Sequence, residues 1–194
     1  MNRIQAIELE DLSWFPSRWR NYMTDFYHYQ MATFDLYRPA ADLLAQALKK
    51  TGQTRIVDLC SGGSGPLARV QQQLRKRHGL TIPVRLTDKY PNLPAFGKIA
   101  AEAREQGGEI TFSAEPVDAT AVPDTLPGLR TLFSCFHHFP PALARRILLD
   151  SVDKKAPIAI FELSNRSPAA FLQVLVGGPL SLPFMTPFFR PFSL

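Results

Sequence analysis

Cysteine is scarce: only Cys60 and Cys135 occur in 194 residues. Two thiols cannot build a disulfide framework, and they read as reduced, buried cysteines of a cytosolic protein. Both fall at predicted C-terminal strand ends, which allows them to be neighbours. Metal-ligand spacing is lacking as well. His28, His78, His137 and His138 have no matching Cys or carboxylate pattern, so no metal is expected. No stripe of alternating basic and aromatic residues suggests RNA or DNA as a partner. The basic excess is modest, 22 Lys and Arg against 17 Asp and Glu, and it is scattered. Its one cluster, Arg75-Lys76-Arg77 beside His78, falls late in a predicted helix, where cations suit the helix dipole. It reads as a solvated helix face rather than a nucleic-acid patch. The N-terminus has no basic segment followed by an apolar core, so no secretory signal is expected and the chain reads as cytoplasmic. Internal repeats and low-complexity tracts are absent.

What remains is an ordinary soluble composition, 45% hydrophobic, in a chain long enough for one α/β domain with a sizeable core. Its most informative stretch is RIVDLCSGGSGP, Arg55 to Pro66. An apolar strand (Ile56, Val57) runs into Asp58. A turn of small residues follows (Cys60, Ser61, Gly62, Gly63, Ser64, Gly65), and then an amphipathic segment begins. A strand that ends in a glycine turn and feeds a helix is how open α/β sheets hold an adenosine-bearing ligand. The glycines let backbone approach the ligand, and the following helix offers free N–H groups to an anion. Read as Cys60-x-Gly62-x-x-Gly65, the turn is a dinucleotide fingerprint with its first glycine replaced. An ordinary strand-to-helix loop that binds nothing is the third reading. Asp58 favours a ligand carrying an α-amino group, because a carboxylate beside the turn repels a pyrophosphate.

The stretch resembles the first motif of class I S-adenosylmethionine-dependent methyltransferases, acidic-x-Gly-x-Gly-x-Gly. Asp58 matches the acidic position and Gly62 the central glycine. Cys60 and Ser64 replace the outer glycines, and Gly65 stands one place later. The resemblance implies S-adenosylmethionine as cofactor and a Rossmann-like sheet with helices on both faces. It also implies methyl transfer to a small molecule. Three further strand ends fit it. VRLTD ends at Asp88, 23 residues beyond Gly65, where a carboxylate can accept both ribose hydroxyls; Lys89 follows. That position serves a dinucleotide ribose equally, and the bland role for Asp88 is capping the next helix, which Asn92 could do itself. The run VDATAVP resembles the third motif, with Asp118 and Ala119 at the adenine. TLFSCF runs through Cys135 to His137 and His138, beside the transferred methyl in the resembled family. Either histidine could serve as general base on a substrate hydroxyl. Glu162, ending the fifth strand, is a candidate substrate contact.

The rest of the chain alternates. Strands are expected near 54–60, 83–88, 110–116, 130–136 and 157–163, with helices near 39–50, 66–78, 92–106, 140–152 and 165–176. Repeated βα units imply a parallel sheet with right-handed crossovers. The expected division is an N-terminal helical cap over 1–51, a cofactor-binding domain over 52–165 and an apolar tail over 166–194. The cap carries the aromatic run from Trp14 to Tyr37, read as sheet packing or as a lid. The tail is uncharged over residues 168–189, but Gly177, Gly178, Pro179, Pro183 and Pro187 break it, so a spanning helix is not expected. It reads as a cap on a substrate cleft or as surface meeting a membrane or another subunit. The last two strands of the resembled family are not found after residue 163, which suggests a fragment of a longer protein. The acceptor is expected to be small and apolar or amphipathic. A nicotinamide-dependent oxidoreductase and a non-catalytic interaction module of the same fold are the rival readings.

Overall fold

The computed structural model describes residues 35–62 and 66–163, with the single positions 14, 16, 172 and 176. Helix α1 (Arg38–Thr51) starts at Pro39, whose fixed φ suits a first turn. Its Ala40, Ala41, Leu44, Ala45 and Leu48 form a buried stripe at helical spacing. Strand β1 (Ile56–Asp58) leads to α2 (Leu67–His78), which buries Leu67, Val70 and Leu74. Gly79 ends α2 at φ 65, returning its N–H to the Arg75 and Leu74 carbonyls. Then come β2 (Val84–Leu86), α3 (Leu93–Glu105), β3 (Ile110–Phe112), β4 (Leu129–Phe133), α4 (Pro141–Asp153) and β5 (Ile158–Phe161). Asn92 caps α3, its side-chain oxygen accepting the Ala95 N–H at 3.3 Å.

All five strands are parallel, in the order β3-β2-β1-β4-β5. Ile56 stands opposite Val84 on one side and Leu129 on the other. The chain therefore steps outward from β1 through β2 to β3, returns, and steps the other way through β4 and β5. With right-handed crossovers, that reversal puts helices on both faces and opens a crevice between the carboxyl ends of β1 and β4. The layers follow this rule. Helices α1, α2 and α3 share one core: Tyr37, Leu44, Leu48, Val70, Leu74, Phe96 and Ile99 pack on Ile56, Val84, Leu129 and Phe133. On the opposite face, Ile147 of α4 and Val117 and Val122 of the β3–β4 connection pack on Val57, Leu59 and Leu132. This is a three-layer α/β domain with a Rossmann-like parallel sheet.

Polar groups tie the layers at specific points. The Gln71 amide donates to the Ile82 and Glu109 carbonyls, both at 2.7 Å, fastening α2 to the amino edge of the sheet. Arg130, 2% exposed in the middle of β4, pairs with Asp150 of α4 at 2.8 Å and donates to Ser151 Oγ at 3.0 Å. Three members of the basic cluster of α2 bind within the fold: Arg77 and His78 both pair with Asp42 of α1, at 3.0 and 2.7 Å, and Arg75 donates to the Gln106 carbonyl, while Lys76 is exposed.

Elements fall close to their expected places, with shorter strands. The third ends at Phe112 rather than near 116. Pro116 has no N–H to give, and Val117 donates instead to the Asp88 carbonyl at 2.8 Å, carrying the chain across the end of β2. Helix α1 lies in the same core as the sheet. The aromatic run before Asp35, the helix expected over 165–176 and the apolar tail lie outside the described residues, apart from the four single positions. Among the described residues no helix is long and apolar enough to cross a membrane.

Candidate active site

Asp58 closes β1 and is 1% exposed. Its carboxylate accepts hydrogen bonds from the Ser61 hydroxyl at 2.7 Å and the Thr131 hydroxyl at 2.6 Å. Burial pushes it up to about 7, against the pull of those two hydroxyls. The surrounding backbone is stitched to both neighbouring strands. Leu59 N–H donates to the Thr131 carbonyl at 2.9 Å, Ser61 N–H to the Thr87 carbonyl at 3.0 Å, and the Thr87 hydroxyl to the Asp58 carbonyl at 2.7 Å. The sequence suggested that Asp58 meets a ligand's amino group. In the structure its side chain is buried and ties the loop together through Ser61 and Thr131.

Cys60 and Gly62 both adopt left-handed backbone, φ 59 and 56. That conformation suits glycine and strains a cysteine. It aims the Gly62 N–H at Asp88 Oδ2, 2.8 Å away across the end of β2. The other Asp88 oxygen accepts the Tyr90 N–H at 2.8 Å. Asp88 thus faces the loop after β1 and does not cap α3, a job Asn92 performs. Each carboxylate oxygen has a second lone pair, so this cradle can still accept hydroxyl donors. A Cβ added at Gly62 would meet nothing within 4 Å, so its conformation, not crowding, calls for glycine.

Lys89 and Asp118 come together at 3.0 Å, bridging the end of β2 and the β3–β4 connection. Asp118 also accepts the Thr120 hydroxyl and N–H, at 2.7 and 2.9 Å, and these bonds hold it down at about 2. Ala119 beside it is buried in the second core. Beyond β4, Ser134 turns left-handed at φ 46 and its hydroxyl hydrogen-bonds Tyr37. Burial pushes the Tyr37 phenol up to about 12. Cys135 follows, its Sγ 4.0 Å from the Leu59 carbonyl.

His137 and His138 sit in a short 3-10 turn (Phe136–His138), their rings stacked with centroids 4.3 Å apart. Glu162, just past β5, accepts the Phe136 N–H at 2.9 Å and contacts His137 Nδ1 at 2.6 Å. Burial raises Glu162, but the His137 bond and charge and the two N–H groups outweigh it and hold the carboxyl below its usual value. An ionised carboxylate only accepts, so Nδ1 carries the hydrogen, and the basic nitrogen of the ring in its neutral form is Nε2. Sequence reasoning placed Glu162 at the site without its partner. Thr131 was not foreseen, since it acts only once β4 lies beside β1, and Tyr37, expected to pack on the sheet or act as a lid, packs in the core and also meets Ser134.

The structure thus gathers Asp58, Cys60, Ser61, Gly62, Asp88 and Cys135 around the end of β1, with Lys89, Asp118 and Ala119 on the β2 side and His137 and His138 on the β5 side. Gly63, Ser64 and Gly65 lie outside the described residues. Among the described residues no group of three or more His, Cys, Asp or Glu could hold a metal ion.

No family model matches the chain, and no curated protein matches it. Solved structures do. An O-methyltransferase family protein from Burkholderia thailandensis is similar at 20% identity and a TM-score of 0.44, over 64% of this chain and 37% of that one. A COG1565 superfamily member from the same organism, solved with S-adenosyl-homocysteine bound, is similar at 18% identity and a TM-score of 0.41, over 52% of this chain and 25% of that one. The methyltransferase domain of bacterial CtHen1-C aligns at 12% identity and a TM-score of 0.43, over 64% of this chain and 65% of that one. The chain thus spans well under half the length of the first two proteins.

Proposed function

We propose that the chain carries a binding site for S-adenosylmethionine and methylates a small, apolar or amphipathic acceptor through an oxygen or another protonated nucleophile. One observation carries the reading: the Gly62 N–H, on the loop that borders the switch-point crevice, donates to the Asp88 carboxylate at the end of β2, 2.8 Å away. A carboxylate at the end of β2 suits a ribose diol, and the left-handed loop beside it brings backbone within reach of a ligand. Asp118 and Lys89 would border the adenine. The cofactor supplies an activated methyl group, so the protein need only orient the acceptor and manage its proton.

His137 is the group suited to that proton. Glu162 fixes its Nδ1–H, orients the ring and stabilises the imidazolium formed when Nε2 takes the acceptor's proton. Glu162 is a positioning residue in this scheme. Its replacement by Gln would lower kcat more than it raises KM and move the acidic limb of the pH–rate profile to lower pH, whereas a merely structural role would leave that profile in place.

Titration with S-adenosylhomocysteine tests the binding reading. Micromolar affinity that falls at least a hundredfold in Asp88→Ala supports it. Unchanged affinity in that variant would sink it.

A further inference from the structure

Cys60 and Cys135 each lie two residues past the ends of β1 and β4, the strands flanking the switch point. The Cys135 sulfur is 4.0 Å from the Leu59 carbonyl oxygen, whose carbon is bonded to the Cys60 nitrogen. Both are half-buried, pack against one apolar cluster, and are free thiols. The methyl-transfer scheme makes no use of either sulfur. Cys60 moreover holds φ 59, a left-handed conformation that strains a side chain and that glycine adopts freely. The chain carries a side chain where its backbone favours glycine, and a second thiol lies against the peptide that precedes it.

We propose that Cys60 and Cys135 are a redox-active dithiol that closes to a reversible intramolecular disulfide. A low-molecular-weight disulfide such as oxidised glutathione is the oxidant. The Cys60 thiolate attacks one of its sulfurs, the S–S bond breaks, and one glutathione leaves as thiolate. Cys135, giving its proton to solvent, then attacks the Cys60 sulfur. The Cys60–Cys135 bond forms and the second glutathione thiolate leaves. Two cysteines are oxidised and one glutathione disulfide is reduced to two thiols.

Closure acts on the crevice through the sheet order. β1 lies between β2 and β4. The loop after β1 is held towards β2 by the Gly62–Asp88 bond. A disulfide, which sets its Cβ atoms about 3.8 Å apart, draws the same loop towards β4. Oxidation therefore loosens the Asp88 cradle and weakens ligand binding. This consequence rests on the adenosine reading; the disulfide does not.

The test treats the full 194-residue chain with oxidised glutathione. Non-reducing digestion with mass spectrometry and titration with S-adenosylhomocysteine follow, before and after dithiothreitol. The expected result is a linked Cys60–Cys135 peptide pair and binding at least tenfold weaker, both reversed by reduction. The Cys60→Ser/Cys135→Ser variant, whatever its own affinity, should not respond to the oxidant. Glutathione adducts without the linked pair would overturn the proposal. A linked pair with binding unchanged would overturn its effect on the crevice. If the reduced chain binds no S-adenosylhomocysteine, the adenosine reading fails, and the linked pair alone decides the dithiol: present supports it, absent refutes it.

Discussion

On one face of the sheet, α1, α2 and α3 cover all five strands with a largely apolar core. On the other, α4 and the 117–126 connection cover the middle, while Arg85 of β2 and Thr111 of β3 point to solvent. The two faces are fastened differently. The first relies on interdigitated side chains and a neutral amide, Gln71. The second sets a full ion pair, Arg130 with Asp150, in the middle of its core. Packing on the first face loses only what each side chain contributes, and the surroundings absorb part of the loss. A buried pair is all or nothing, since removing one partner strands the other's charge. The thinly covered face also receives the chain that bears His137 and Glu162. Sparse apolar contact allows local adjustment there, which groups that handle a substrate can use.

This contrast can be broken most sharply at Asp150. Asp150→Ala should cost about 3–5 kcal/mol in urea unfolding, because Arg130 is left buried and unpaired. Adding Arg130→Leu should recover most of the loss. Leu44→Ala, on the first face, should cost about 2–5 kcal/mol as a cavity, and no second charge removal should rescue it.

Asp58 gives the next effect, and it depends on pH. Its carboxyl sits near 7 in the fold against about 4 in an unfolded chain. The folded state holds the proton more tightly, so the stability this group contributes is fully present below about pH 4. It is lost as pH rises through 7, by up to about 4 kcal/mol. Asp58→Asn should flatten the fall in melting temperature over that window. Asp118, held at about 2, acts with the opposite sign and only below about pH 4, so the two do not overlap.

Gln71→Ala comes third. It removes the two bonds to the Ile82 and Glu109 carbonyls and should cost about 1–3 kcal/mol by chemical denaturation. Smallest is Arg77→Ala on the α1–α2 surface, below about 1 kcal/mol and fading with salt, because its pair with Asp42 is screened by water.

Periodicity and punctuation made the elements legible: the apolar stripes of α1 and α2, Gly79 and Asn92 as helix ends, and a parallel sheet from repeated βα units. Strand-end position likewise marked Asp88, Cys135 and His137. What could not be read is what depends on which strand lies beside which. Thr131 stands opposite Asp58 only because β4 pairs with β1, and that pairing brings a hydroxyl onto the Asp58 carboxylate. Arg130 sits amid an apolar strand, and its partner is 20 residues away on α4. Glu162 finds His137 only after β5 docks beside β4.

We propose that the crevice takes an adenosine-bearing sulfur ligand rather than a dinucleotide. Calorimetric titration of the reduced chain with S-adenosylhomocysteine and, separately, NAD⁺ tests that most directly. The account predicts micromolar binding of the first, none of the second, and loss of the first in Asp88→Ala. Binding of NAD⁺ in preference to S-adenosylhomocysteine would contradict it.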